Sequence, residues 1–338
     1  SSPRACGRAA GAELSEPPCL EMDSSDALRV GVPLAVFAVG VSALLWYWPW
    51  PPKVFLNRER KKGEIIDIVE LSHDTKRFRI SLGSKNTILG LPVGKHIVLY
   101  CPNPAKCVSS GNWNGKPDPD KGKAEIDRKY TPVTGNETPG YVDLVIKVYK
   151  PGNTKMPDGK EMNWEDGGKM SLFLDSKRIG ESLDIMGPLG INEYLGEGIF
   201  KLPGRTVVTK SVGMMAGGTG LTPMLQVLQA ALRNPKDKTK FSLILANKTE
   251  DDILCRDMLD DLARKHKDRF KLTYTLDFPP AKWDGKKGFI TADMIKEVLP
   301  PSLPETLMLL CGPPGMIEFA CKKNLEALGF PKTSMVMF

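Results

Sequence analysis

Alternation of apolar and polar positions governs the chain from about residue 57 to residue 195, in short runs broken by Gly, Pro and Asn. "GEIIDIVEL", "KRFRISL", "KHIVLY", "YVDLVIKVY" and "GESLDIM" turn every second side chain to one face, which predicts antiparallel strands of a small β-barrel. Residues 101–126 interrupt the pattern with "NWNGKPDPDKGKAE", a polar stretch of turn formers. From Arg205 the texture changes. Apolar strands ("VVTKSVGMMA", "FSLILAN", "FKLTYTLD", "TLMLLCG") now alternate with helical periodicity ("TPMLQVLQAAL", "DDILCRDMLDDLARKH", "TADMIKEVL", "GMIEFACKKNLEAL"). That succession predicts a doubly wound parallel α/β sheet. The expected organisation is a barrel domain at 57–196, a short linker at 197–205 and an α/β domain at 206–338.

Ahead of these domains, residues 30–48 run for nineteen positions without a charge. As a helix they span about 28 Å at ~1.5 Å per residue, close to the ~30 Å hydrocarbon core of a bilayer. Trp46, Tyr47, Trp48 and Trp50 crowd the far end like an interfacial aromatic belt, and Lys53, Arg58, Arg60, Lys61 and Lys62 follow. The near flank is net acidic, so the positive-inside rule places the large C-terminal part in the cytosol. A cleaved signal peptide is the rival reading, but it lacks a basic n-region and a small-residue cleavage site. An anchor helix is expected at 27–50. Residues 1–26 show no periodicity and are expected to be disordered.

Composition agrees with this division. With 338 residues, 41% hydrophobic and 26% charged, the chain can bury the cores of two globular units. The net charge is +7, yet residues 1–52 carry three basic against five acidic side chains, so the positive excess lies in the expected domains. It favours an anionic cofactor or an acidic partner. Lys and Arg are interleaved with Asp and Glu throughout, which argues against a nucleic-acid stripe. Cys6, Cys19, Cys101, Cys107, Cys255, Cys311 and Cys321 form no CxxC pair, so a zinc site or disulfide framework is not expected and a reducing compartment is. His73, His96 and His266 lie too far apart along the chain to suggest a metal site.

Four stretches carry candidate chemistry. In "MMAGGTGLTPMLQ" a strand ends at Ala216, Gly217, Gly218, Thr219 and Gly220 form a loop, and a helix opens near Thr222 and Pro223. Proline is preorganised for a first helical turn, whose free N–H groups can meet a phosphate. The loop is neither a Rossmann GxGxxG nor a Walker loop, and simple packing is its plain alternative. "LLCGPPGMIEFA" repeats the logic, with Cys311, Gly312, Pro313 and Met316 at another strand end, where ligands of parallel sheets bind. The plain reading of Cys311 is a small core residue. In "RKYTPVT", Arg128 can pair with a phosphate, Tyr130 can stack on a planar ring, and Thr131 can hydrogen-bond a heterocycle edge; period-2 alternation puts Arg128 and Tyr130 on one face. "DGGKMS" sets Gly167 and Gly168 before Lys169, Met170 and Ser171, a second anion cradle. Singly, these are a surface arginine, a core tyrosine and a helix cap.

Taken in order, R-x-Y-T-P, VDLVIKVY, GGKMS, GGTGLTPM, ANKTEDDIL, YTLD and CGPPGM resemble the NADH–cytochrome b5 reductases of the ferredoxin-reductase superfamily, over roughly residues 62–338. The resemblance implies an FAD-holding barrel and an NADH-binding α/β domain. It implies that Arg128 contacts the FAD pyrophosphate, Tyr130 packs on the flavin and Thr131 lies near its reactive edge. Val145, Ile146 and Tyr149 would line the flavin site, Gly168, Lys169, Met170 and Ser171 would close over the phosphates, and Thr222 would reach across from the other domain. Lys147 corresponds to the family lysine near the nicotinamide. Gly217, Gly218, Thr219, Gly220, Cys311, Gly312, Pro313 and Met316 would bind or align NADH, and Asp277 would disfavour the extra phosphate of NADPH. Thr131, Lys147 and Cys311 would stand nearest the chemistry, and His73 also matches a family position. The implied activity passes electrons from NADH through FAD to cytochrome b5, from a membrane of the endoplasmic reticulum or the outer mitochondrial membrane. Two alternatives stay open: a sister reductase with another acceptor, and a tethered nucleotide-binding module without catalysis. The chain departs from the family pattern in longer loops at 101–126 and 155–165 and in a short linker.

Overall fold

The computed structural model describes residues 51–155 and 161–338. The segment 1–26 and the expected anchor at 27–50 lie outside them. Among the described residues no helix is long and apolar enough to cross a membrane.

Six strands form the first sheet, in the order Glu125–Tyr130, His96–Pro102, Ser182–Leu189, Lys61–Ser72, Thr75–Ser81, Tyr141–Lys147. All its pairings are antiparallel. Alternation supplies the core: Phe78, Ile80, Leu99, Leu144 and Ile185 are buried together, while the intervening positions point away. Lys61–Ser72 pairs with Ser182–Leu189 along its first residues and with Thr75–Ser81 along the rest, shifting register after Ile65. Asp143 interrupts the otherwise apolar run of Tyr141–Lys147 and is buried. It is matched by Arg79 at the same register position, which donates two hydrogen bonds to it at 2.8 and 2.9 Å. The two end strands of this sheet, Glu125–Tyr130 and Tyr141–Lys147, carry Arg128, Tyr130 and Val145 to Lys147.

The second six-stranded sheet is parallel, in the order Lys286–Lys287, Phe270–Leu276, Lys240–Asn247, Ser211–Gly217, Thr306–Cys311, Met335–Met337. The chain enters at Ser211–Gly217 and builds outward first to one side and then to the other. A topological switch point therefore falls between Ser211–Gly217 and Thr306–Cys311. Both faces are covered, which is why these strands read as continuous apolar runs. Val212, Met214, Leu243 and Leu309 pack on one face with helix Leu221–Arg233. Met215, Ile244, Met308 and Leu310 pack on the other with Ile295, Ile317 and Leu325. The first cluster also takes in Val133 and Val145 of the antiparallel lobe, so the two lobes share one apolar seam.

Several elements differ from the periodicity. "VVTKSVGMMA" is two strands, Arg205–Val208 and Ser211–Gly217, separated by Lys210 and by Thr209, whose hydroxyl accepts from the Ser211 amide. The helix expected from Asp251 begins at Arg256, because Cys255 adopts a left-handed φ of 52°. Ahead of it, Thr249 and Asp252 form a capping box around the short turn Glu250–Asp252. The linker region is a meander of three antiparallel strands, Glu193–Gly196, Ile199–Leu202 and Arg205–Val208. It is tied to the antiparallel lobe by the Tyr194 amide, which donates to Val93. It is tied to the parallel lobe by Tyr194 donating to Asp237 and Arg205 to the Thr333 carbonyl. The polar stretch after Cys101 folds as a short helix, Ala105–Ser110, and a hairpin, Asn112–Trp113 with Lys116–Pro117. Asn114 and Gly115 have φ of 50° and 69°, as the Asn-Gly pair of a tight hairpin turn requires.

Candidate active site

A cleft of about 2240 Å³ runs between the two lobes. His73 and every residue singled out above as catalytic or cofactor-binding line it, from Arg128 at one end to Met316 at the other.

Its antiparallel wall comes from the end strands. Along Glu125–Tyr130, Ile126 is buried in the core, and Arg128 and Tyr130 follow on the same face at half-buried positions where the core gives way to the cleft. Burial pushes the Tyr130 phenol up, so it stays neutral at physiological pH. Thr131 follows immediately after the strand. Opposite, Val145 and Ile146 are buried strand residues that both reach the cleft. Helix Lys169–Asp175 starts from Gly168, its N-cap residue. The Gly168 amide donates to the Tyr149 carbonyl at 2.8 Å, and the Ser171 hydroxyl accepts from the Tyr149 amide at 3.1 Å. A Cβ on Gly168 would stand 2.5 Å from the Ser171 hydroxyl, so a side chain there would displace the hydroxyl that accepts from Tyr149.

Lys169 and Arg128 already have partners, which the sequence reading missed. Lys169 donates to Asp118 and, at 3.3 Å, to Asp120, while Arg128 donates to Asp120 at 2.6 Å. Burial alone would raise the Asp118 and Asp120 carboxyls, but these cations hold both below the ordinary aspartate range. Burial lowers and the two carboxylates raise the Lys169 ammonium, which ends above its ordinary value. Both aspartates belong to the long loop after Cys101. Nothing in its local pattern shows that they fold back across about fifty residues.

The parallel wall is the switch point. Ala216 and Cys311 are register partners on adjacent strands, and the Gly-rich loop becomes a tight turn, Gly218–Gly220, leading into helix Leu221–Arg233. A Cβ on Gly220 would lie 2.2 Å from the Cys311 carbonyl oxygen, so the two loops pack backbone against backbone. Thr222, 8% exposed, donates to the Thr219 carbonyl at 3.2 Å. Burial pushes the Cys311 thiol up to about 11, so it is a neutral group there and not a thiolate nucleophile.

Lys147 joins the lobes. Its ammonium lies 2.7 Å from Asp74 of the antiparallel lobe and 2.6 Å from Asp252 of the capping box. Burial would lower it, but the two carboxylates raise it above its ordinary value. His73 stands 3.4 Å from Asp74, with its side chain largely exposed. His73, Asp74 and Asp252 bring three ligand-type atoms together, and the Lys147 ammonium sits against both carboxylates. Asp277 is pushed up by burial, against the pull of Lys248. Asn247, at a strand end in the cleft, is 7% exposed, yet neither its amide nitrogen nor its oxygen has a partner in the protein. Such an orphaned pair needs a ligand or water to satisfy it.

These residues fit two nucleotides. The antiparallel wall offers two cations at a side-chain-free turn beside an apolar, aromatic surface. The parallel wall offers glycine loops and an amide with unmet hydrogen bonds. Fold and cleft thus define an oxidoreductase with separate FAD and NAD lobes. Residues 62–111 and 118–194 match the family model "Oxidoreductase FAD-binding domain", and residues 214–322 match "Oxidoreductase NAD-binding domain". The chain is 48% identical over 314 residues to NADH-cytochrome b5 reductase 2 of Xenopus laevis, spanning 88% of this chain and 97% of that one. It is 45% identical over 273 residues to human NADH-cytochrome b5 reductase 1, spanning 79% and 81%. Its fold is similar to the cytochrome b5 reductase domain of Ulva prolifera nitrate reductase, with a TM-score of 0.73 and 38% identity over 84% of this chain and 99% of that one. The chain belongs to the NADH-cytochrome b5 reductase family, and its cofactors are FAD and NADH.

Proposed function

We propose that this enzyme takes electrons from NADH through FAD to cytochrome b5, held at a membrane by the apolar segment at 27–50 with its two lobes in the cytosol. The observation that carries the reading is the single cleft in which the Arg128–Lys169 cradle and the Gly217–Gly220 and Cys311–Pro313 loops meet. Bound FAD supplies the chemistry that splits a hydride's two electrons into single transfers. The protein's residues hold, orient and shield.

Arg128 and Lys169 bind the pyrophosphate as charge-assisted donors, with Gly168 and Ser171 shaping the turn. Tyr130, Val145, Ile146 and Tyr149 would present the surface for the flavin ring, Thr131 would meet its edge with a hydroxyl, and Met170 would close over the phosphates with Lys169 and Ser171. Thr222 closes the site from the other lobe. Gly217, Gly218, Thr219, Gly220 and Gly312 let the dinucleotide backbone approach closely, while Pro313 and Met316 floor its site. Cys311, protonated and compact, fixes how near the nicotinamide comes. Lys147 steers it by charge, and Asp277 repels a 2′-phosphate.

The positive excess of the domains suits a haem protein with an acidic rim. The test is anaerobic: NADH should bleach the flavin of the purified chain, and oxidised cytochrome b5 should restore it. Rising salt should slow cytochrome b5 reduction much more than ferricyanide reduction. Equal salt sensitivity would remove the docking argument. Faster turnover with a different haem protein would reassign the acceptor.

A further inference from the structure

We propose that the hairpin Asn112–Trp113 with Lys116–Pro117 and the strand Glu161–Trp164 build a purine pocket, in which Trp113 and Trp164 receive the adenine end of FAD. The proposal rests on the assignment of Arg128 and Lys169 to the pyrophosphate.

A second cavity, of about 700 Å³, shares Arg128, Gly168, Lys169 and Trp164 with the main cleft. From that common cradle it opens toward Trp113 and Asn163, which the main cleft does not reach. A dinucleotide carries its two heterocycles on either side of the pyrophosphate. With the flavin lying toward Thr131, the adenosine leaves the cradle on the other side.

The pocket's walls are ordered by the cradle itself. Trp113 donates its indole N–H to the Gly167 carbonyl at 2.7 Å. The Asn114 amide group donates to the same carbonyl at 3.0 Å, and the Asn114 side-chain oxygen accepts from the Asp166 backbone at 2.8 Å. The Asn114 backbone donates to the Asp166 carboxylate at 2.8 Å. Trp164 is braced by the Tyr149 ring at a centroid distance of 5.5 Å. Two fixed indoles suit a flat, neutral base, because any base presents a face to stack. Asp118, in the same lining, already pairs with Lys169. The hairpin falls where the match to the FAD-binding family model is interrupted, between residues 111 and 118.

The full chain, stripped of flavin, is titrated with FAD and with FMN, which lacks the adenosine half, and flavin fluorescence is followed. Trp113→Ala is expected to weaken FAD about tenfold or more, the size of one stacked base, with FMN unchanged. Trp113→Phe keeps a ring but loses the bond to Gly167, and should retain most of the FAD affinity. Trp164→Ala removes the other indole of the lining and should reproduce the selective loss. Equal losses of FAD and FMN across these variants would overturn the pocket and leave Trp113 as a support for the cradle. Unchanged FAD affinity would overturn it as well. Arg128→Leu examines the underlying assignment separately: it should weaken FAD and FMN together, and if it weakens neither, the pyrophosphate reading fails whatever the tryptophans do.

Discussion

Asp118→Asn removes one charge from the most buried ion pair described here, with little change of shape. The Lys169 and Asp118 side chains are 5% and 4% exposed. Stranding a buried charge outright costs about 3–5 kcal/mol. Lys169 keeps Asp120 at 3.3 Å, so a loss of roughly 1–3 kcal/mol is expected in the flavin-free protein. Once FAD is bound, the pyrophosphate supplies the missing counter-charge and most of that cost disappears. The thermodynamic cycle then makes the variant bind FAD more tightly, by about tenfold for each ~1.4 kcal/mol by which the two costs differ. Urea unfolding of flavin-free and flavin-loaded protein, paired with an FAD titration, measures all four corners. Equal destabilisation in both states, or weaker FAD binding, would refute the idea that the aspartates stand where phosphate charge acts.

Asp277→Thr should raise the NADPH-to-NADH ratio of kcat/KM, by about tenfold or more if one unit of charge repulsion is removed from a half-buried site; steady-state rates with both nucleotides decide. Lys147→Met leaves Asp74 and Asp252 facing each other, so a stability loss of about 1–3 kcal/mol and a raised KM for NADH are expected, read by urea unfolding and initial rates. Acid should act through the aspartates. Asp118, Asp120 and Asp252 all titrate below the ordinary value of about 3.9 despite burial, so their contribution is whole above that pH and is lost as pH falls through their folded values. Comparing urea unfolding at pH 7 and pH 3 should show Asp118→Asn losing less stability on acidification than the parent chain.

Periodicity exposed most of the strands and the helices after Arg205, because a half-buried strand and an amphipathic helix write their faces directly into the residue order. It misjudged places where one backbone angle or one side chain overrides the period. Cys255 in a left-handed conformation delays a helix, and the Thr209 hydroxyl divides an apparent strand. The glycine loops and the R-x-Y-T-P strand were legible as ligand-facing because they break the pattern at strand ends. The partners of Arg128, Lys169 and Lys147 were not. Asp118, Asp120, Asp74 and Asp252 are ordinary surface-type residues in sequence, and only the fold brings them to the cations. The hairpin at Asn114–Gly115 escaped notice because its strands are two residues long, although Asn-Gly is itself the signal for such a turn. Asn247 gave no sign in the sequence that its amide would be buried without partners.

The meander at 193–208 is a strap and not a tether. It is hydrogen-bonded to Val93 on one lobe and to Asp237 and Thr333 on the other, so it bridges both halves. Swinging the lobes apart would have to break hydrogen bonds at one end of the meander or bend the meander itself.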